Sequence, residues 1–343
     1  MSQTKTTIRD VAQRAGVSAG TVSNVLNRPF YVNADTRQRV LEAIRELNFV
    51  PQQRARQFRP GRVRSLGVAV ANLGNPFFVD VALGAEEAAR SRGVGVVISN
   101  SADDAERENQ NLELLTQQRV QGLIISPVDE LSSRLQMMHD RGVPMVFVDR
   151  VGEEYQHAWS VVVDDVAGGR LAAEHVLERG YRRLGFAGDP EISPKVRRRL
   201  RGVKEVLAGH DDVVLEVIST GTWTVESGRE AAEHVVDMPA EERPAALLCA
   251  NDHMALGVLQ SLSRAGLRVP EDIAVVGYDD LQWAAAANPP LTTVRQPRYE
   301  LGATAVEMLL ELFDRNGAEN GAPPAGSPKH AVLTPELVAR DTT

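Results

Sequence analysis

Within residues 18–27, Ser18, Ala19, Gly20, Thr21, Ser23, Asn24 and Asn27 supply the chemistry needed to read nucleic acid. Hydroxyls and amides match base edges and phosphate oxygens, while Ala19 and Gly20 let a backbone come close. These groups need a helix to hold them on one side. Val22, Val25 and Leu26 supply its apolar side, and Ser18 is placed to cap it. Upstream, Ile8, Val11, Ala12 and Ala15 recur at helical spacing, Thr7 followed by Asp10 reads as an N-cap, and Gly16 sits where a first helix must end. A third helix is predicted from a cap at Asn33 through Val40, Ala43, Ile44 and Leu47. Three such helices close a small core and place the second as the recognition helix of a helix-turn-helix, with Thr7 as a further DNA contact. Each helix alone is compatible with ordinary packing; their order and spacing together point to DNA.

Charge is segregated in a way that fits this reading. Residues 1–64 hold 12 Lys and Arg against 4 Asp and Glu, a net of +8, whereas the rest holds 26 against 42, a net of −16. A basic head belongs on phosphates and an acidic body would be repelled by them, so the overall charge of −8 conceals a nucleic-acid binder. No apolar run approaches the roughly 20 residues of a membrane span and no signal-like stretch opens the chain, so a cytoplasmic, nucleoid-associated protein is expected. Cys249, the one cysteine, lies in the apolar run 245–250 and reads as a buried strand thiol; the seven His show no metal-ligand spacing. No metal and no cofactor is expected.

Residues 51–64 are basic, punctuated by Pro60-Gly61 and nearly without apolar side chains. Gln52 to Arg59 could form two helical turns, too short to be stable alone in water, so this linker is expected to order against DNA and a partner copy. From Ser65 onward, β-rich runs alternate with helical patterns: 66–71, 96–99, 123–126, 145–149, 160–163, 184–187, 246–249 and 274–277. Apolar strands between helices imply parallel sheets, and two such units leave a cleft at the carboxyl ends of their strands.

The pattern from Thr7 to Asn27 resembles the lactose-repressor family of bacterial transcription regulators. The resemblance continues through Asn48-Phe49-Val50-Pro51, Asn75-Pro76-Phe77-Phe78, Val148-Asp149-Arg150, Asn251-Asp252, Val276-Gly277-Tyr278-Asp279-Asp280 and 290–296, to Arg340. It implies a helix-turn-helix head at 1–50, a hinge helix and linker at 51–64, and an α/β body at 65–343. The body would have the periplasmic sugar-binding fold: two doubly wound parallel-sheet subdomains, about 65–162 plus 292–321 and about 163–291 plus 322–343, crossing near Val163, Leu291 and Gly321. It also implies that the hinge touches DNA through Arg54, Ala55, Arg56 and Phe58. Phe58 stands where the family carries a leucine, as a wedge for the minor groove, and Gln52 replaces a more usual asparagine.

The same resemblance selects effector-site candidates at the strand ends: Asn75, Phe77, Phe78, Ser126, Asp149, Arg150, Arg199, Trp223, Asn251, Asp279 and Gln296. Charged groups suit several hydroxyls and aromatic faces suit the C–H side of a sugar ring; Ser126 stands in place of an asparagine and Trp223 in place of a phenylalanine. Arg199 and Asp279 are expected to face water or one another in the free protein. Competing readings make Phe77 and Phe78 simple core, the charged residues structural ion pairs, and Asp252 and Asp280 helix caps. The function that follows is a ligand-responsive repressor of carbohydrate-utilisation genes, binding a palindromic operator as a homodimer and responding to a monosaccharide or derivative. The alternatives are a nucleoside- or purine-responsive regulator of the same fold, an α/β enzyme acting on sugars or nucleosides, and a non-regulatory sugar-binding protein. The dinucleotide fingerprint, P-loop, nucleophile elbow and paired Cys or His cluster that would mark an enzyme are missing from the sequence, so no catalytic residue is expected.

Overall fold

The computed structural model describes residues 7–27, 31–47, 49, 65–129, 131–150, 158–318 and 329–343. The expected hinge helix, with Arg54, Ala55, Arg56 and Phe58, lies outside the described residues. The chain divides into two units, Met1–Arg62 and Val63–Thr343.

In the first unit, Thr7 and Asp10 close a reciprocal capping box at the start of α1 (Ile8–Ala15), which Gly16 ends in the left-handed conformation at φ 66°. α2 (Ala19–Asn27) starts behind Ser18, whose Oγ accepts from the Thr21 amide at 3.1 Å. α3 (Ala34–Glu46) starts behind Asn33, whose Oδ1 accepts from the Asp35 amide at 2.8 Å. Val11, Ala12, Ala15, Val22, Val25, Val40, Ala43 and Phe49 form the core of this head, with Ile8, Leu26, Ile44 and Leu47 packed around it.

The second unit begins with β1 (Ser65–Val70), α4 (Pro76–Ser91), β2 (Gly95–Asn100), α5 (Ala105–Gln117), β3 (Gly122–Ile125), α6 (Ser133–Asp140), β4 (Met145–Val148) and β5 (Trp159–Val163). It continues with α7 (Asp165–Glu178), β6 (Arg183–Ala187), α8 (Pro194–Leu207), β7 (Val214–Ile218), α9 (Val225–Asp237), β8 (Ala246–Cys249), α10 (Asp252–Arg264) and β9 (Ala274–Asp279). β10 (Thr292–Arg295), α11 (Arg298–Ala318), β11 (His330–Leu333) and β12 (Glu336–Val338) complete it. The strands form two six-stranded sheets, ordered β11-β5-β4-β3-β1-β2 and β12-β10-β9-β8-β6-β7. Every pairing is parallel except β10 with β12. Each sheet organises one lobe.

Strand alternation buries both faces of the first sheet. Leu66, Val68, Ile124, Val146 and Val148 pack under α4 and α11, while Ala69, Leu123, Ile125, Met145 and Phe147 pack under α5 and α6. The described helices include none long and apolar enough to cross a membrane. Eight strands coincide with the predicted apolar runs; β7, β10, β11 and β12 do not. β7, β11 and β12 are half-exposed edge strands, and β10 reads Thr-Thr-Val-Arg. Sheet membership also moves two crossings. β10 pairs with β9 in the second sheet, so the chain leaves that lobe after Arg295 and not near Leu291. β11 pairs with β5 in the first, so the final crossing follows Leu333 and not Gly321.

Three helix pairs meet through reciprocal glycines. A Cβ on Gly84 of α4 would lie 2.0 Å from the Tyr299 carbonyl oxygen, and one on Gly302 of α11 would lie 1.9 Å from that of Val81. Gly169 and Gly202 do the same for α7 and α8, and Gly228 and Gly257 for α9 and α10. Backbone carbonyls cannot yield as a side-chain tip can, so Gly302→Ala should lower stability by about 1–3 kcal/mol through overpacking. Gly209→Ala, where the nearest atom is 4.0 Å away, is the control expected to be near neutral, and urea denaturation of the two variants measures the difference.

Candidate recognition helix and effector cleft

On the head, α2 buries Val22 and Val25 and leaves Gly20 and Asn24 in solvent, with Thr21 and Ser23 half-buried at its flanks and Ser18 exposed at its cap. Ser18 and Thr21 hydroxyls lie 2.9 Å apart and support one another. Ala19 is half-buried and packs against the head core, so its contribution outward is its backbone. Asn27 closes α2, and Thr7 is exposed but engaged by Asp10, whose Oδ2 accepts from the Thr7 amide and hydroxyl at 2.7 Å each. Arg14 is spent on Glu46 at 2.6 Å, joining α1 to α3. Sequence reasoning passed over Tyr31, an aromatic 87% exposed shortly before the α3 cap; it lies between the periodic segments of α2 and α3, where helical spacing gives no signal.

In the second unit, strand ends and helix starts from both lobes line one cavity of about 840 Å³. Of the candidates, Asn75, Phe77, Phe78, Asp149, Arg150, Arg199, Trp223, Asn251, Asp279 and Gln296 all line it. Ser126 does not: it follows β3, is buried, and its Oγ has no hydrogen-bond partner among the described residues. Asn75 caps α4 by accepting from the Phe77 amide at 3.0 Å, which fixes the two phenylalanines at the mouth. Their rings meet edge to face with centroids 5.0 Å apart, and both are simultaneously core and wall. Asn251 caps α10 through the Met254 amide at 2.9 Å and donates to the Trp223 carbonyl at 3.0 Å, positioning the tryptophan loop.

Two wall carboxylates ride on left-handed backbone. Asp149 has φ 70° and Asp279 φ 127°, conformations costly for residues with a Cβ and concentrated at functional sites. Asp149 directly follows β4 and Asp279 closes β9, and both line the cavity. Asp279 accepts from Gln296 Nε2, and Gln296 Oε1 is buried without a partner among the described residues.

Arg199 does not pair with Asp279. Its Nε donates to Asp165 Oδ1 at 2.9 Å, its Nη1 donates to the Ala250 carbonyl, and its guanidinium lies 3.6 Å from the Tyr278 ring centre. Burial pushes the Asp165 carboxyl up, but Arg199, Lys195 and Arg198 outweigh it and hold the group below the usual carboxylate range. Arg199 is thus part of the floor that the cleft stands on. Asp280 is likewise structural, paired with Arg340 at 2.6 Å and Arg295 at 2.7 Å.

Lys195 was missed by sequence reasoning. It lines the cavity one helical turn before Arg199, and its ammonium donates to Asp149 of the other lobe. The i, i+4 spacing behind the Ser193 cap was the signal that could have found it. Asp252 is fully buried behind Asp279, accepting from Thr293 Oγ1 at 2.6 Å and the Leu281 amide at 2.7 Å. Burial first, then the Asp279 charge, push its pKa up to about 7.

Comparison with known proteins agrees with both units. Residues 7–52 match the bacterial regulatory proteins of the lacI family, and residues 173–343 match the periplasmic binding protein-like domain. The HTH-type transcriptional repressor PurR of Aliivibrio fischeri is 35% identical, over 89% of this chain and 91% of its own. The lac repressor dimer bound to operator and the anti-inducer ONPF superposes with a TM-score of 0.82 at 32% identity, covering 99% of both chains. A complex of the transcriptional regulator CelR with cellobiose superposes with a TM-score of 0.68 at 30% identity, covering 98% of this chain and 100% of that one.

Two outcomes follow from the buried charges. Arg199→Ala leaves the Asp165 carboxylate, which is 1% exposed, with Arg198 as its remaining ion-pair partner, and should cost on the order of 3 kcal/mol in chemical denaturation. Asp252 titrates near 7 when folded and near 3.8 in its reference state, so the native state holds its proton longer than the unfolded chain does. Its contribution to stability is therefore full below the unfolded value and is lost as pH rises from about 4 to about 7. Asp252→Asn should flatten that slope relative to wild type in melts recorded across the interval.

Proposed function

The chain belongs to the lacI family of bacterial regulatory proteins, and from that premise we propose that it is a repressor whose hold on an operator is set by a small molecule in the cleft. α2 enters the major groove, with Asn24 reading base edges and the backbone at Ala19 and Gly20 approaching phosphates. The protein acts as a homodimer on a palindromic site, with one head on each half. The observation that carries the reading is the union in one chain of a solvent-facing recognition helix and a cavity lined from two lobes. The relatives matched over its length are repressors, not enzymes.

The effector is a small polyhydroxylated molecule, a monosaccharide or a derivative of one. Phe77 and Phe78 on one wall and Trp223 on the other offer apolar faces, and Asp149, Asn251, Asp279 and Gln296 offer donors and acceptors suited to hydroxyl groups. A ligand closes the lobes only by its differential affinity for the closed state, and that closure is the signal passed to the heads. A purine or nucleoside effector is the second reading, favoured by the similarity to repressors named PurR.

Calorimetry with sugars and nucleobases, alongside operator binding with each solute present, tests both readings. Asn24→Arg should change the sequence selected from a random operator pool while retaining the steep salt dependence expected of phosphate contacts. An unchanged operator preference would mean that α2 is not the reading helix.

A further inference from the structure

Lys195 belongs to the second lobe, yet its ammonium reaches the first lobe twice: it donates to the Asp149 carboxylate and lies 5.0 Å from the centre of the Phe77 ring. The lysine and aspartate side chains are only 9% and 5% exposed. Arg150, the residue after Asp149, makes the reciprocal crossing, with its guanidinium 5.8 Å from the centre of the Trp223 ring in the second lobe. Two cations that reach across the lobes and one carboxylate therefore line the same cavity.

The other acids nearby have partners of their own; Asp103, which also lines the cavity, accepts from Asn72 Nδ2 at 2.6 Å. Glu108 acts on Arg150 at longer range, but its two oxygens accept from the Val128 and Asp129 amides and burial raises its pKa. Asp165 carries Arg198 and Arg199, Glu226 is paired with Arg229, and Asp279 takes Gln296. Among the described residues no carboxylate forms an ion pair with Arg150, and the face of Trp223 engages the guanidinium without accepting from its N–H groups. The N-termini of α4, α8, α9 and α10 open on the same cavity, so their fields add to those of the two cations.

We propose that Lys195 and Arg150 make the cleft selective for an effector with an anionic group, a carboxylate or a phosphate ester on a small polyhydroxylated molecule. The anion sits between the ammonium and the guanidinium while hydroxyl groups donate to Asp149 and Asp279. A neutral sugar that parts Lys195 from Asp149 leaves a buried ammonium with no charge to replace the one it loses, whereas an acid exchanges one carboxylate for another. This inference rests on the reading of the cleft as the site of a sugar-like effector.

The test is calorimetry on the full chain with matched solutes: glucose, galactose and ribose against glucuronate, galacturonate, gluconate, glucose 6-phosphate and ribose 5-phosphate, with hypoxanthine and guanine included. At least one anion should bind about tenfold or more tightly than its neutral counterpart, and whether it is a carboxylate or a phosphate ester identifies the source of the charge. Lys195→Met should collapse that preference and Lys195→Arg should restore it, with thermal unfolding reporting that each variant is folded. Arg150→Gln gives the same readout should the methionine variant fail to fold. A neutral sugar that binds as tightly as its acid overturns the anion selectivity and leaves the sugar reading standing. A nucleobase preferred to every sugar and acid overturns both, and absence of binding by every anion at millimolar concentration overturns the proposal.

Discussion

The carboxylate of Asp165 is 1% exposed and has Arg199 and Arg198 each 2.9 Å away. Removing that much solvent from a charge costs several kcal/mol, which the two guanidiniums offset only while α7 and α8 stay in contact. Gly169 and Gly202 permit that contact, since a Cβ at either would lie 2.0 Å from a carbonyl oxygen of the opposite helix. Arg199 then extends the arrangement inward, bonding to the Ala250 carbonyl at the end of β8 and covering the ring of Tyr278 on β9. One buried charge thus ties two helices to two strand ends, and those strand ends carry the Asn251 and Asp279 side chains of the cavity wall.

The first lobe reaches a comparable result by a different route. Its wall is held by packing: α4 and α11 meet through Gly84 and Gly302, and Phe77 and Phe78 serve both as core and as lining. Its polar contribution comes from a turn at the end of β4, where Asp149 adopts φ 70° and points across the cleft. One wall of the cavity is therefore braced from behind by a buried charge cluster, the other by packing, and each carries both charged and aromatic groups. A ring with hydroxyls on its edge and C–H groups on its face meets suitable partners on both sides.

Several elements were legible in the residues themselves. The capped helices of the head, its apolar positions and the eight apolar strands follow from local spacing, because helix and strand periods are imposed by backbone geometry alone. The motif-bearing cleft residues also converge, all but Ser126, which is buried beside the strand end without reaching the cavity. β10 was invisible because Thr292 and Thr293 are polar; both are buried only because Arg340 and Asp252 accept from their hydroxyls, at 3.1 and 2.6 Å. Neither partner is near in sequence.

What the amino-acid order determined by itself was which segments form helices and strands, which residues cap them, and where the basic head gives way to the acidic body. Those properties depend on neighbours within a few positions. Only the tertiary structure decided that Arg199 serves Asp165 and not Asp279, that Lys195 reaches Asp149 across the cleft, and that the final crossings fall after Arg295 and Leu333. The physical reason is the same in each case. A long charged side chain has several carboxylates within its reach and a half-exposed strand has more than one sheet edge to join, and burial favours the arrangement that pairs the buried charges and backbone groups.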